Sequence, residues 1–209
     1  MIRTEHKEAE LEFSFVEYSP ENKRENMPLI IQLHGAGERG DGAGELYLVD
    51  KHGFSKIMND LDCECIFVMP QCPSNQFWAG RVESIISFIQ RIAEKYRADK
   101  SRIYLTGLSM GGYGTWFTAM ARPDLFAAIA PVCGGGMAWN ADVLDMPVWA
   151  FHGDMDPTVS PTQTREMVEA LKASGKDVKY TEFAGEGHGI QDLAFTKELV
   201  NWLLSQKKN

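Results

Sequence analysis

Long apolar runs are missing from this chain of 209 residues. No stretch of ~18 apolar residues occurs, which excludes a membrane-spanning helix. The first ten residues, Met1 to Glu10, carry no apolar h-region. They do not read as a secretion signal, and the cytoplasm is the default location; a domain cut from a longer secreted chain would look the same. Cysteine is scarce as well. The four present are Cys63, Cys65, Cys72 and Cys133, with no C-x-x-C pair and no common zinc spacing. They read as small apolar core residues, so neither a metal nor another cofactor is expected. Positive charge is in deficit: Lys plus Arg number 21 against 29 Asp plus Glu, a formal net charge of −8. Such a surface repels phosphate backbones and anionic lipid and argues against a nucleic-acid partner.

What remains is an ordinary globular composition, 44% hydrophobic and 24% charged. The length suits a single domain spanning 1–209, large enough to bury a core without disulfide or metal staples. Oligomeric state is not legible.

Apolar runs at 29–33 and 65–69 read as buried strands, the first of a kind covered on both faces in a parallel sheet, and 102–106, 127–132 and 147–151 read as three more strands. Residues 11–18 and 177–183 read as further strands. Between them, 81–96 carries apolar residues at helical spacing, from Val82, Ile85 and Ile86 through Ile89 to Tyr96. Helices are also expected over 45–60, 110–121 and 191–204, the last with Leu193, Leu199, Val200 and Leu203 inward. Another opens at Ser160-Pro161 and ends at Gly175. Strand and helix alternate, which implies an α/β fold: a mostly parallel sheet with helices on both faces.

One segment carries chemistry. Gly107-Leu108-Ser109-Met110-Gly111 has the G-x-S-x-G pattern, between an expected strand and an expected helix. In that context the turn is tight, the glycines permit close chain approach, and the Ser109 hydroxyl projects at the carboxyl edge of the sheet. A serine hydroxyl is a weak nucleophile unless an imidazole takes its proton and a carboxylate holds the imidazole. Only His152 and His188 follow Ser109. His188 sits in the Gly185–Gly189 loop after the last expected strand, which suits a base that must reach across the sheet. His152 ends a strand and suits a structural role, bonding loop backbone. Between Ser109 and His188, Asp154 and Asp156 both lie in a loop after a strand. Asp156, before Pro157, is preferred as the acid, while Asp154 suits the turn's own backbone.

The oxyanion of an acyl-transfer intermediate needs backbone N–H donors. Met110, after the nucleophile at a helix start, supplies one. The glycine-rich loop from His34 to Gly40 supplies the other, assigned to Ala36 with Gly35 or Gly37 as alternatives. This loop lacks the Lys-Ser/Thr ending of a phosphate cradle.

These segments, with Pro70-Gln71-Cys72-Pro73, Phe151-His152-Gly153-Asp154-Met155-Asp156-Pro157 and Gly187-His188-Gly189, resemble the α/β-hydrolase superfamily from residue 10 onward. Within it the chain is similar to small carboxylesterases and phospholipases, and to feruloyl-esterase-like and prolyl-oligopeptidase-like hydrolases. The resemblance implies an α/β-hydrolase fold and supports Asp156 as the triad acid and Ala36 and Met110 as oxyanion donors. One relative, the dienelactone hydrolases, uses a cysteine nucleophile; Ser109 stands at that place here, which argues against that particular activity. Many relatives carry a cap after the sixth strand; the interval from Gly134 to Asp145 is too short for a large one. Trp78 and Trp139, in loops near expected strand ends, are candidate walls of a substrate pocket. The expected activity is hydrolysis of carboxylic esters of short acyl, acetyl or feruloyl type, small or carbohydrate-linked. The rival readings are a prolyl-oligopeptidase-like peptidase, for which the chain has no room for a propeller, and a non-catalytic binding module. Whether residues 40–60 gate the site is left open.

Overall fold

The β-branched and aromatic residues of Leu29–Leu33 and Ile66–Pro70 are fully buried, as strands covered on both sides require. The computed structural model describes the chain apart from residues 8, 9, 43, 62 and 209 and the side chains of 58–60. It contains strands β1 (Ile2–His6), β2 (Phe15–Ser19), β3 (Leu29–Leu33), β4 (Ile66–Pro70), β5 (Ile103–Leu108), β6 (Ala128–Val132), β7 (Val148–Gly153) and β8 (Val178–Phe183). They form one eight-stranded sheet in the order β1-β2-β4-β3-β5-β6-β7-β8. β1 and β2 pair antiparallel, as do β2 and β4, and the pairings from β4 through β3 to β8 are parallel.

This is the α/β-hydrolase fold, without a large cap domain: only a short 3₁₀ segment, Ala138–Val143, lies between β6 and β7. Helices α1 (Val82–Lys95), α2 (Met110–Ala121), α3 (Thr162–Ala173), α4 (Gln191–Ala194) and α5 (Lys197–Ser205) complete it. Alternation along β3 divides the core. Leu29, Ile31 and Leu33 face one cluster with Ile89 of α1 and Trp116 of α2, while Ile30 joins the opposite cluster with Leu199 and Leu203 of α5. The polar residue of that strand, Gln32, is buried and satisfied: it accepts from Phe54 N at 3.0 Å and donates to His52 O at 3.3 Å. On β2, buried Glu17 accepts from Lys23 Nζ at 2.5 Å and Tyr96 Oη at 2.6 Å and meets His6 Nε2 at 2.8 Å.

Several expectations are corrected. The 45–60 segment is not one helix but two 3₁₀ pieces, Leu46–Leu48 and Gly53–Asp60, because Gly53 takes φ +87° and breaks the run. The 191–204 helix is split at Phe195, where Thr196 caps α5 by accepting from Leu199 N. Leu193 is exposed rather than inward. The first expected strand shifts to 15–19, and β1 was not anticipated.

The strand order places the site. From β3 the chain runs to β4 on one side and then crosses to β5 on the other, so the order reverses between β3 and β5. Ligands of open α/β sheets bind outside the carboxyl ends at such a point. The opposite end of β5 is tied to the C-terminal segment. Arg102 donates to Leu204 O at 2.9 Å, Tyr104 Oη to Gln206 O at 2.7 Å, and Lys208 N to Ser101 O at 2.9 Å.

Candidate active site

Ser109 lies between β5 and α2 with φ 55° and ψ −114°, a conformation a non-glycine residue rarely adopts. Packing enforces it. A Cβ at Gly111 would stand 2.0 Å from Leu33 O, and one at Gly107 would stand 2.4 Å from Gly111 O. Only glycine lets β3, β5 and the helix start approach so closely.

The three expected side chains meet. His188 Nε2 is 2.9 Å from Ser109 Oγ, and His188 Nδ1 is 2.6 Å from Asp156 Oδ2. Asp156 follows β7 and His188 follows β8, so neighbouring strand ends deliver the carboxylate and the imidazole. The other Asp156 oxygen, Oδ1, accepts from Thr158 N at 2.8 Å and Val159 N at 3.0 Å. Burial raises the Asp156 pKa, but the hydrogen bonds from His188 and from these two amides outweigh it and hold the carboxyl below its ordinary range.

His152 is fully buried and bonds loop backbone, its Nε2 3.0 Å from Val159 O; it also comes within 3.2 Å of Asp156 Oδ2. Its Nδ1 lies 2.7 Å from Thr164 Oγ1, and Thr164 Oγ1 donates to Gly134 O at 2.6 Å. Burial lowers the His152 pKa. Asp154 is corrected: it braces the histidine loop rather than its own turn, accepting from Gly185 N at 2.7 Å.

The loop after β3 runs against Ser109: a methyl added at Gly35 would stand 3.9 Å from Ser109 Cβ. Ala36 opens a one-turn 3₁₀ helix, Ala36–Glu38, and Met110 opens α2. Amides at these first positions have no acceptor within their own helix. The loop is braced from below by buried Gln71, which donates to Glu38 O and Glu45 O and accepts from Gly42 N.

The pocket expectation is corrected in part. Trp78 is fully buried; its Nε1 donates to His34 O at 3.0 Å and its Cβ fills the space that Gly114 leaves open. It cannot touch a substrate. Trp139 is 81% exposed in the segment after β6. The cavity beside Ser109, about 400 Å³, is lined instead by Phe77, Ala79, Met110 and Tyr113. Phe77 and Tyr113 were missed. The spacing of Tyr113, four residues after Ser109 and hence on the same helix face, was the available signal. Tyr113 donates to Gln163 Oε1 at 2.6 Å, and the Arg39 guanidinium sits 4.8 Å from the Phe77 ring centre, so both walls are held.

The sequence profile of the dienelactone hydrolase family matches residues 67–196, more than half of the chain. The chain belongs to the dienelactone hydrolase family. The matched stretch contains Ser109, Asp156 and His188, while the Ala36 loop precedes it. Among relatives of this dienelactone hydrolase family member is poly(3-hydroxyalkanoate) depolymerase C of Paucimonas lemoignei. It is 26% identical over 193 residues, covering 72% of this chain and 45% of that protein. Acetylxylan esterase A of Aspergillus oryzae is 30% identical over 136 residues, covering 62% of this chain and 44% of that one. The chain thus spans less than half the length of both. Among solved structures, a thermostable esterase superposes with a TM-score of 0.86 at 32% identity, covering 99% of this chain and 63% of that one.

Proposed function

We propose that this chain is a serine hydrolase of carboxylic esters. The observation that carries the reading is the unbroken contact from Ser109 through His188 to Asp156. In the proposed cycle His188 Nε2 takes the Ser109 proton as the oxygen attacks the ester carbonyl. Asp156 holds the Nδ1–H tautomer and offsets the charge that forms on the ring. The Ala36 and Met110 amides receive the developing oxyanion. His188 then protonates the leaving alkoxide. Water, deprotonated by the same imidazole, attacks the acyl-enzyme and frees the acid and Ser109.

The substrate orientation follows from where His188 stands. The leaving oxygen must lie on the His188 side to receive its proton. The cavity of Phe77, Ala79, Met110 and Tyr113 has no wall from the 185–189 loop, so it holds the acyl group. Its aromatic sides suit an apolar acyl group, short or feruloyl-like. The names of the relatives support esters of carbohydrate or polymer as the wider class.

A fluorophosphonate probe should label Ser109 in the wild type and not in Ser109→Ala. A panel of p-nitrophenyl esters and aminoacyl amides separates esterase from peptidase. Amide turnover without ester turnover would reject the proposal, and an unlabelled wild type inert to both would favour a binding module.

A further inference from the structure

The loop after β3 is fixed by a histidine that the cycle above does not use. Cys72 N donates to His34 Nε2 at 2.9 Å, so that nitrogen carries no proton. The neutral ring therefore holds its proton on Nδ1 and donates it to Gly35 O at 2.6 Å. His34 is buried, and burial pushes its pKa down to about 4, so this tautomer persists at neutral pH. In a trans peptide the carbonyl and the N–H point in opposite directions, and no cis peptide occurs among the described residues. Holding the Gly35 carbonyl therefore sets the direction of the Ala36 N–H. The preceding peptide is held the same way, because Trp78 Nε1 donates to His34 O at 3.0 Å. Cys72 follows β4, so the loop is referenced to the neighbouring strand.

We propose that His34 is a positioning residue for the oxyanion hole, its ring holding the Gly35 carbonyl so that the Ala36 N–H points at the developing oxyanion. The inference rests on the ester-hydrolase reading. It assigns the two ring nitrogens separate duties. Nε2 secures the ring to the strand end, and Nδ1 aims the peptide.

Two substitutions separate those duties. In His34→Gln the terminal amide reaches the place of Nε2 and can still accept from Cys72 N, but Gly35 O loses its short ring donor and keeps only the long bond from Glu38 N at 3.4 Å. In His34→Asn the amide sits near the place of Nδ1 and can donate to Gly35 O, but Cys72 N loses its acceptor. Measurements are kcat and KM on p-nitrophenyl acetate, inhibition by an arylboronic acid whose tetrahedral adduct places an oxygen in the hole, and melting temperature. For His34→Gln, kcat should fall on the order of 100-fold with KM within about threefold, and boronate binding should weaken in parallel. His34→Asn should regain at least about tenfold of that kcat while melting lower than the Gln variant. A kcat that follows melting temperature in both variants, a change in KM alone, or unchanged boronate binding in His34→Gln overturns the assignment. A wild type that is neither labelled at Ser109 nor active on any ester overturns the hydrolase reading instead. An active wild type without the crossed pattern overturns only the role of His34.

Discussion

His152 Nε2 lies 3.2 Å from Asp156 Oδ2, the same oxygen that His188 meets at 2.6 Å. One carboxylate oxygen thus faces two imidazoles, while the other accepts two backbone amides. The carboxylate has little freedom to rotate away from His188. Replacing His152 by Phe removes the brace and leaves Thr164 without its ring partner. The expected result is a loss of about tenfold in kcat. That is well short of the roughly 10⁴-fold loss expected for Asp156→Asn, which under the proposed cycle abolishes the correct tautomer of His188. Steady-state kinetics on one ester checks both.

At the elbow the expectation concerns folding. Gly111→Ala places a methyl 2.0 Å from Leu33 O, a backbone atom of a central strand that cannot swing aside. Destabilisation of about 4 kcal/mol or more is expected, read by urea denaturation. Gly37→Ala, where an added methyl meets nothing within 4 Å, should leave the denaturation midpoint near that of the wild type.

Acyl selectivity should reside in Phe77 and Tyr113. Truncating Phe77 to Ala should lower the ratio of kcat/KM for p-nitrophenyl cinnamate over p-nitrophenyl acetate by about tenfold, the scale of losing apolar contact in a pocket. Tyr113→Ala should act in the same direction. An unchanged ratio in both would place the acyl group elsewhere.

Stability should fall in mild acid through the buried histidines. The unfolded chain takes up a proton on His34 near its ordinary value of 6.5, whereas the folded form holds it neutral down to about 4. Across that window the unfolded state binds more protons, so stability is complete above pH 6.5 and is lost as pH falls toward 4. His152, also lowered by burial, acts in the same sense. Below pH 4.5 the loss continues as Glu17, held to about 2 because Lys23, Ser19 and Tyr96 together outweigh its burial, begins to take up its proton in the unfolded chain. Denaturant titrations at stepped pH should show this slope, and His34→Gln should flatten its upper part.

The catalytic candidates were readable because each is a short pattern at a strand end. Ser109 sits between glycines that backbone crowding demands, and His188 sits in a loop with glycine on both sides. The sheet was readable because β3, β4 and β5 are predominantly apolar and buried, with Gln32 and Thr106 as polar interruptions. What escaped were features set by direction rather than composition. Phe77 and Trp78 are adjacent aromatics at the start of a 3₁₀ turn, yet Phe77 faces the cavity while Trp78 packs into the slot left by Gly114. The 45–60 segment has helical spacing, but the positive φ of Gly53 belongs to tertiary context. β1 escaped because an edge strand exposed along most of its length carries no buried face to announce it.

The tie between β5 and residues 204–208 has a mechanical consequence. β5 is a strut of six residues, about 20 Å long, with Ser109 at one tip and the tail's fastenings at the other. Peeling the tail from Arg102 and Tyr104 unclamps that strut at its far end. The Ser109 hydroxyl would then inherit slack introduced on the opposite side of the molecule.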